Sequence, residues 1–240
     1  MAASAPASAL KADAAAAPLL QINDLHYHWP NGRAALAGCS LQVARPGLWM
    51  LVGGNGSGKS TLLRLIAGLL TSSRGRLLRS LKPALVFQNP DHQLLLPSCG
   101  SEIELALPDT VQGSARLARV ELALQQVGLA GFRQRPIHSL SGGQKQRLAI
   151  AACLASEAEL LLLDEPTALL DETSQVEVLQ LIRSLCDRSE RPITALWITH
   201  RLEELRWCDG AALMQRGSVG PWRSGETMQR QLAPLAGGKG

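Results

Sequence analysis

The chain has no long apolar run and few cysteines. A membrane-spanning helix requires about 20 consecutive apolar residues, whereas the most apolar clusters here, at 94–96 and 160–163, are far shorter. The sequence therefore predicts that this chain does not cross a membrane by itself. The five cysteines are odd in number, widely separated and free of any Cys-x-x-Cys pair. This pattern argues against a disulfide framework or a zinc site and favours a reducing compartment.

Charge of one sign is not concentrated in any segment. The formal net charge is +4, and the basic residues are spread along the 240 residues. This balance suits an anionic ligand, an acidic partner or a membrane surface, and it does not indicate nucleic acid binding. Residues 1–18 lack arginine and lack a charged start followed by an apolar segment, so we expect neither a transit peptide nor a secretory signal. Their Ala/Ser/Pro-rich composition predicts a disordered tail.

The most informative stretch is a glycine-rich loop at 53–61. It follows the apolar run 48–52, typical of a buried strand, and leads into 62–67, typical of a helix. In this setting converging backbone N–H groups bind phosphate, Lys59 reaches the β- and γ-phosphates, and the Ser60 hydroxyl is a ligand for Mg²⁺. The alternative is a plain glycine turn, which the Lys-Ser directly after the last glycine disfavours. The predicted triphosphate-binding residues are Gly53, Gly54, Asn55, Gly56, Ser57, Gly58, Lys59, Ser60 and Thr61.

An acidic pair follows a second apolar strand. Residues 160–163 are four leucines, as expected at the centre of a parallel sheet, and Asp164 and Glu165 come directly after them. At the carboxyl end of a strand, where such proteins bind ligands, Asp164 can hold Mg²⁺ and Glu165 can orient or deprotonate a water. The alternative is an ordinary acidic loop start. His200 comes just after the predicted strand 193–198 and is a candidate for the same site.

Two further strand ends carry weaker candidates. Gln88, after the predicted strand 84–87, could reach a metal or an attacking water, although it could equally be an ordinary polar terminus. Trp29 or Tyr27, upstream of the glycine loop, could stack on a nucleotide base; the alternative is packing within the sheet. We favour Trp29 for stacking.

The middle of the chain, about 89–157, is typical of helices. In 114–127 a helical period places Leu117 and Val120 on one face with Leu124 and Val127. Ser141, followed by two glycines and a helix, predicts an N-cap and a second anion-binding helix N-terminus, with a plain capped helix as the alternative. Downstream we expect an amphipathic helix at 173–188 that buries Val176, Val178, Leu179, Ile182 and Leu185. A short hairpin and a loose tail at 227–240 are expected to follow.

Taken in order, these motifs resemble those of the ATP-binding subunits of ABC transporters over about 20–225. The matching segments are the Walker A loop 53–61, the Q-loop Gln88, the signature 140–144, the Walker B strand 160–165, the D-loop Asp171 and the switch His200. The resemblance implies an α/β fold: a P-loop NTPase (RecA-like) core with an antiparallel β subdomain and an inserted α-helical subdomain. One ATPase domain at 19–226 would contain the helical subdomain at about 89–157.

The resemblance also implies a mechanism that uses ATP and Mg²⁺. Two subunits, identical or paralogous, would pack head to tail, so that the signature of one closes over ATP on the other. Glu165 would be the general base, and His200 and Lys59 would hold the phosphates. Mg²⁺ would be held by Ser60, Gln88 and Asp164. Ser141 and Gly143 would contact the γ-phosphate across the dimer, and the resemblance also counts Gly142, Gln144 and Asp171 among the nucleotide-binding residues.

A finer similarity links the chain to the ATPases of energy-coupling factor transporters, which import metal ions or vitamins. It is carried by 86–94 and by the opening 25–30. It implies a peripheral location on the cytoplasmic face of the cell membrane, a transmembrane coupling subunit docked near Gln88 and the helical subdomain, and a substrate-binding membrane subunit. Gly54, where proline is frequent, and Leu169, where the D-loop usually has a small residue, depart from the pattern. An ATPase of another ABC transporter class and a soluble ABC ATPase for cofactor-cluster assembly remain alternatives.

Overall fold

The computed structural model describes residues 17–236, with side chains to 233. The predicted disordered tail, 1–18, therefore lies outside the described residues except for its last two. The strands are β1 (Leu20–His28), β2 (Ala34–Val43), β3 (Gly47–Val52), β4 (Arg74–Arg79), β5 (Pro83–Val86), β6 (Leu160–Asp164), β7 (Thr194–Ile198), β8 (Gly210–Gln215) and β9 (Ser218–Val219). The α-helices are α1 (Lys59–Ile66), α2 (Cys99–Ala106), α3 (Ser114–Gln126), α4 (Gly142–Ala155), α5 (Glu172–Cys186) and α6 (Gly225–Ala236).

A six-stranded sheet in the order β5-β6-β7-β3-β8-β9 forms the centre of the fold. Its first five strands pair in parallel, and β8 and β9 form the antiparallel hairpin expected near the end of the chain. Both faces are buried, because alternate residues of one strand enter different hydrophobic clusters: Leu161 and Leu163 lie in one, Leu160 and Leu162 in the other. Since parallel strands share one carboxyl edge, every loop that follows them emerges on the same side.

A separate three-stranded antiparallel sheet, in the order β2-β1-β4, packs beside the core. Its apolar face joins the cluster formed by one side of the central sheet, with Leu25 and Leu36 fully buried. This arrangement confirms the predicted α/β class with an antiparallel β unit. The chain between β5 and β6 is helical and contains α2, α3 and α4. No helix within residues 17–236 is long and apolar enough to span a membrane.

Two apolar residues predicted to be buried on helix faces are exposed. On α3, Val120, Leu124 and Val127 are buried as predicted, but Leu117 is 47% exposed. On α5, Val176 is 38% exposed. Both predictions were wrong, because each helix packs through a stripe narrower than its apolar periodicity suggests.

The C-terminal segment forms a helix, so the prediction of a loose tail from 227 was wrong for 227–236; residues 237–240 lie outside the described part of the chain. Helix α6 packs on the short 3₁₀ helix Leu202–Trp207. Gly225 allows this close approach, because a Cβ there would lie 1.9 Å from the carbonyl oxygen of Leu205. Met228 is only 1% exposed. Tertiary contacts therefore accompany the helix in a segment that was predicted to be loose.

We expect Met228→Ala to lower the free energy of unfolding by about 2–5 kcal/mol, because it deletes a buried side chain and leaves a cavity. The matched control is Arg230→Ala, which removes an exposed ion pair with Glu226 on the same helix and is expected to change stability by less than ~1 kcal/mol. Denaturant unfolding monitored by circular dichroism measures both. Equal, small effects of the two substitutions would show that α6 does not pack as described.

Candidate nucleotide site

The glycine loop connects β3 to α1 at the carboxyl edge of the central sheet. Gly58 is the N-cap residue of α1 and adopts φ 106°, in the left-handed region. A Cβ at this position would lie 2.5 Å from the carbonyl oxygen of Ala35, so only glycine fits. No side chain caps α1, and its first turn carries no acidic residue. Its N-terminal N–H groups are therefore available to an anion. A Cβ at Gly54 would meet open space, which agrees with a loop that tolerates proline or glycine there.

Lys59 lies across this loop and is 5% exposed. Its Nζ donates hydrogen bonds to the carbonyl oxygens of Gly53, at 2.7 Å, and Gly54, at 3.1 Å. Burial lowers the pKa of Lys59 from its ordinary value, and the nearby carboxylates of Glu165 and Asp164 oppose that shift. A buried ammonium group held by two carbonyl oxygens is positioned to bind phosphate oxygens.

Ser60 and Asp164 meet although 104 residues separate them in sequence: Ser60 Oγ donates to Asp164 Oδ1 at 2.9 Å. Burial raises the pKa of Asp164, a shift that the Ser60 hydrogen bond opposes and the nearby Glu165 reinforces. A hydroxyl beside a carboxylate is a pair of hard oxygen donors, which fits Mg²⁺. Among the described residues no group of three or more His, Cys, Asp or Glu could hold a metal. A cation bound here would therefore depend on phosphate oxygens as well.

Ser57 supplies an independent sign that the loop accommodates a polar ligand. Its side chain lies within the loop and is buried, with 8% exposure. Its Oγ has no hydrogen-bond partner among the described residues. Because buried polar groups in native structures are nearly always hydrogen-bonded, a buried hydroxyl without a partner in this loop fits a site that binds a polar ligand such as phosphate.

Glu165 and His200 form a pair at the ends of the adjacent strands β6 and β7. Glu165 Oε1 lies 2.7 Å from His200 Nε2, a close contact between the carboxylate and the imidazole ring. Glu165 adopts φ 49°, a left-handed conformation that is uncommon for a residue with a side chain. Such strain is concentrated at functional sites. The structure therefore brings together four candidates from three strand ends: Lys59, Asp164, Glu165 and His200.

Gln88 follows β5, next to β6, and is exposed. Two contacts join its segment to α4, the helix that begins within the signature: Gln146 Nε2 donates to the carbonyl oxygen of Phe87 at 3.4 Å, and Lys145 Nζ pairs with Asp91 Oδ1 at 2.7 Å. Gln146 is fully buried. A displacement of Gln88 or of α4 would therefore be transmitted to the other.

The signature residues lie apart from the glycine loop. Ser141 is the N-cap of α4 and exchanges hydrogen bonds with Gln144, whose backbone N–H reaches Ser141 Oγ at 3.3 Å. Within residues 17–236 no hydrogen bond joins 141–144 to the loop 53–61. The observed geometry is that of a plain capped helix, which was the alternative at this position. Anion binding at this helix N-terminus stays a prediction.

Ser174, which was not identified from the sequence, links the signature to the D-loop. Asp171 caps α5, accepting from Ser174 N at 2.9 Å and from Ser174 Oγ at 2.7 Å. These hydrogen bonds lower the pKa of Asp171. A Cβ at Gly143 would lie 2.5 Å from Ser174 Oγ, so glycine is required for this approach. The Asp-x-x-Ser spacing of a helix N-cap was the available sequence signal.

Trp29 lies beyond the end of β1 and is partly buried. Its ring packs edge-on against Tyr27, with the centroids 5.2 Å apart. Tyr27 is 9% exposed and belongs to the core, whereas Trp29 retains surface that a base could cover. Of the two aromatic candidates, Trp29 is the one that remains accessible for stacking.

A phosphate loop, a serine–aspartate pair and a glutamate–histidine pair on one edge of a parallel sheet define a P-loop nucleoside triphosphatase. A family model described as ABC transporter matches residues 36–168, just over half of the chain. The chain belongs to this family, as an ATP-binding subunit that binds and hydrolyses ATP.

Individual relatives and a solved structure show which members of the family this chain is similar to. The chain is 44% identical over 187 residues to ABC transporter I family member 10 of Arabidopsis thaliana, covering 77% of this chain and 69% of the relative. It is 40% identical over 222 residues to the energy-coupling factor transporter ATP-binding protein EcfA1 of Geobacillus kaustophilus, covering 85% and 78%. The structure of cbiO1 from Clostridium perfringens, part of the ABC transporter complex cbiONQ, superposes with a TM-score of 0.79 at 30% identity, covering 91% and 93%. The predicted resemblance is confirmed.

Proposed function

We propose that this chain powers import through an energy-coupling factor type transporter whose cargo is a metal ion or a vitamin. The observation that carries the proposal is the combined likeness to EcfA1 and to cbiO1, each over more than three quarters of both chains. The motif at 86–94 adds support from the segment that would face the membrane partner. In this function the chain is peripheral to the cytoplasmic face of the membrane, bound to a coupling subunit and, through it, to a substrate-binding membrane subunit.

A second ATPase subunit completes the site in this proposal. The separation of the signature group from the loop 53–61 supports it, because one chain then carries two anion-attracting helix termini that do not serve the same phosphate. In a head-to-tail pair, Ser141 and Gly143 of one subunit close over ATP held by Lys59 of the other. ATP then joins the two subunits, and its hydrolysis lets them separate.

Phosphoryl transfer requires that the negative charge of the phosphates is neutralised and that the attacking water is aligned, and different site residues serve these two roles. Lys59 leaves the carbonyl oxygens of Gly53 and Gly54 to bind the β- and γ-phosphates. Asp164, Ser60 and Gln88 would hold Mg²⁺, which when bound supplies positive charge against the phosphate oxygens. The main-chain N–H groups at the start of α1 hold the phosphates without reorganising during the reaction.

Glu165 is the general base in this scheme. Its carboxylate accepts a proton from the attacking water, and water attacks the γ-phosphorus while the bond to the leaving ADP oxygen breaks. The His200 imidazole lies against this carboxylate, with Nε2 2.7 Å from Glu165 Oε1, and so restricts its direction. The same imidazole lies at the strand end where the γ-phosphate would be bound, so it can hold the phosphate and the water in line.

The surface after Gln88 suits a membrane partner. Leu95 is 75% exposed, and its backbone is held rigidly because the buried Glu102 accepts hydrogen bonds from the N–H groups of Leu95 and Leu96 at 2.9 and 2.8 Å. Leu105 on α2 is 62% exposed. Large apolar side chains presented on fixed backbone favour contact with an apolar partner helix. The hydrogen bond from Gln146 to the carbonyl oxygen of Phe87 would then transmit a movement of the membrane partner to the signature.

The test is purification of the tagged chain from detergent-solubilised membranes, with copurifying proteins identified by mass spectrometry. We expect a second ATPase subunit and a multispanning coupling protein. Leu95→Asp should lose the multispanning protein, because it places a charge in an apolar interface, while ATP binding stays unchanged. The matched control, Leu78→Asp on the distant β4, should retain it, since Leu78 is also exposed, at 50%. Recovery of the unchanged chain only as a soluble complex would contradict the proposal and favour cofactor-cluster assembly.

A further inference from the structure

A buried carboxylate that the proposed chemistry does not use lies next to the site. Glu204 belongs to the 3₁₀ helix Leu202–Trp207, four residues after His200, and is 2% exposed. Thr167 Oγ1 donates to Glu204 Oε1 at 2.6 Å, and Trp197 Nε1 donates to Glu204 Oε2 at 3.1 Å. Both donors are themselves buried, with 2% and 0% exposure. Each carboxylate oxygen therefore has its own partner on a different element.

The two donors belong to the segments that carry the glutamate–histidine pair. Thr167 comes two residues after Glu165, and Trp197 lies on β7, three residues before His200. The backbone ladder between β6 and β7 ends at Asp164 and Ile198, and Glu165 N still reaches the carbonyl oxygen of Ile198 at 3.2 Å. Beyond that point, Glu204 connects the segment after β6 to β7 through its hydrogen bonds with Thr167 and Trp197.

Burial of a carboxylate is energetically unfavourable, so packing alone does not account for Glu204. Removing an ionised group from water is unfavourable unless hydrogen bonds and a counter-charge compensate. Here the nearest cation is Arg201, whose Nε lies 3.7 Å from Glu204 Oε1. A buried, fully bonded carboxylate gives strong and directional hydrogen bonds to both donors. An apolar residue of similar size could fill the space but could not fix Thr167 and Trp197 relative to each other.

We propose that Glu204 is a positioning residue for ATP hydrolysis, which holds Glu165 and His200 in their mutual geometry through Thr167 and Trp197. The inference rests on the proposed roles of Glu165 and His200. Glu204 touches neither substrate nor the reacting atoms. Its effect is on turnover, because displacement of a general base and its partner by a fraction of an ångström slows the chemical step more than it weakens binding of ATP.

The most informative substitution is Thr167→Val, which keeps the shape of the side chain and removes the hydroxyl donor from Glu204 Oε1. We expect kcat for ATP hydrolysis by the full chain to fall on the order of 10- to 100-fold, with KM for ATP changed by less than about threefold. Thr167→Ser, which retains the donor, should restore most of the turnover. Glu204→Gln should have an intermediate effect, since its amide can accept from Trp197 and donate to the Thr167 hydroxyl.

Ile182→Val, a buried truncation on the later turns of α5, is the control for a general loss of stability and should leave kcat unchanged at a temperature where every variant is folded. A Thr167→Val chain whose kcat equals that of Ile182→Val would overturn the positioning role. So would a Thr167→Ser chain no more active than Thr167→Val. Glu165→Gln is measured in the same assay: if it turns over normally, the proposed role of Glu165 as general base fails, whereas an inactive Glu165→Gln beside a fully active Thr167→Val overturns only the role of Glu204.

Discussion

Replacing Glu165 with glutamine is expected to leave ATP affinity near that of the unchanged chain and to slow hydrolysis by at least ~100-fold. Glutamine has the same shape and can keep the contact with His200 Nε2, which lies 2.7 Å from Glu165 Oε1. It cannot accept a proton from water at neutral pH. The substitution therefore removes the chemical step and preserves the bound state.

Fluorescent nucleotide titration and phosphate release measure the two effects separately. The matched control is Glu190→Gln, which makes the same change at an exposed position between α5 and β7, on the opposite edge of the sheet. It should leave both quantities unchanged. Turnover by Glu165→Gln at the rate of Glu190→Gln would remove the assignment of Glu165 as general base.

Replacing Lys59 with alanine is expected to weaken ATP binding by about 10–100-fold. The estimate follows from about 1.5–3 kcal/mol for a hydrogen bond to a charged group and 1.4 kcal/mol for each tenfold change in affinity. Lys59 is buried, and its Nζ donates hydrogen bonds to the carbonyl oxygens of Gly53 and Gly54. Its removal leaves the loop intact but takes away the charge at the phosphates.

Lys82→Ala provides the comparison at the other edge of the sheet, where Lys82 is exposed directly before β5. Its ATP affinity should match that of the unchanged chain in isothermal titration calorimetry. An unaltered affinity for Lys59→Ala would refute a role for this lysine in binding phosphate. Circular dichroism of both variants excludes unfolding as the cause of a loss.

The elements that position the site could be predicted because their signals are local. Four leucines before Asp164 predict a buried parallel strand, and the structure has it as Leu160–Asp164. The strand–loop–helix around Lys59 was likewise evident, since glycine spacing and the apolar flanks are readable within about fifteen residues. The common carboxyl edge then follows from the parallel order of the strands.

What could not be predicted depends on contacts between distant parts of the chain. The pairing of Thr167 with Glu204 spans 37 residues, and neither residue stands out by spacing or composition. Helix α6 was also missed: Met228 is buried in the same hydrophobic cluster as Leu205 of the 3₁₀ helix after His200, a contact between segments that are separate in the sequence. The roles of the signature residues stay predictions, because they concern a second chain.

The measurement that tests the central claim most directly is the solution mass of the Glu165→Gln chain with and without MgATP, by light scattering coupled to gel filtration. If ATP joins two subunits head to tail and only hydrolysis separates them, the mass should rise from 25.6 kDa to twice that value when ATP is added. It should remain at the lower value with ADP. A chain that binds ATP yet stays at 25.6 kDa would contradict a composite site formed by two copies of this chain.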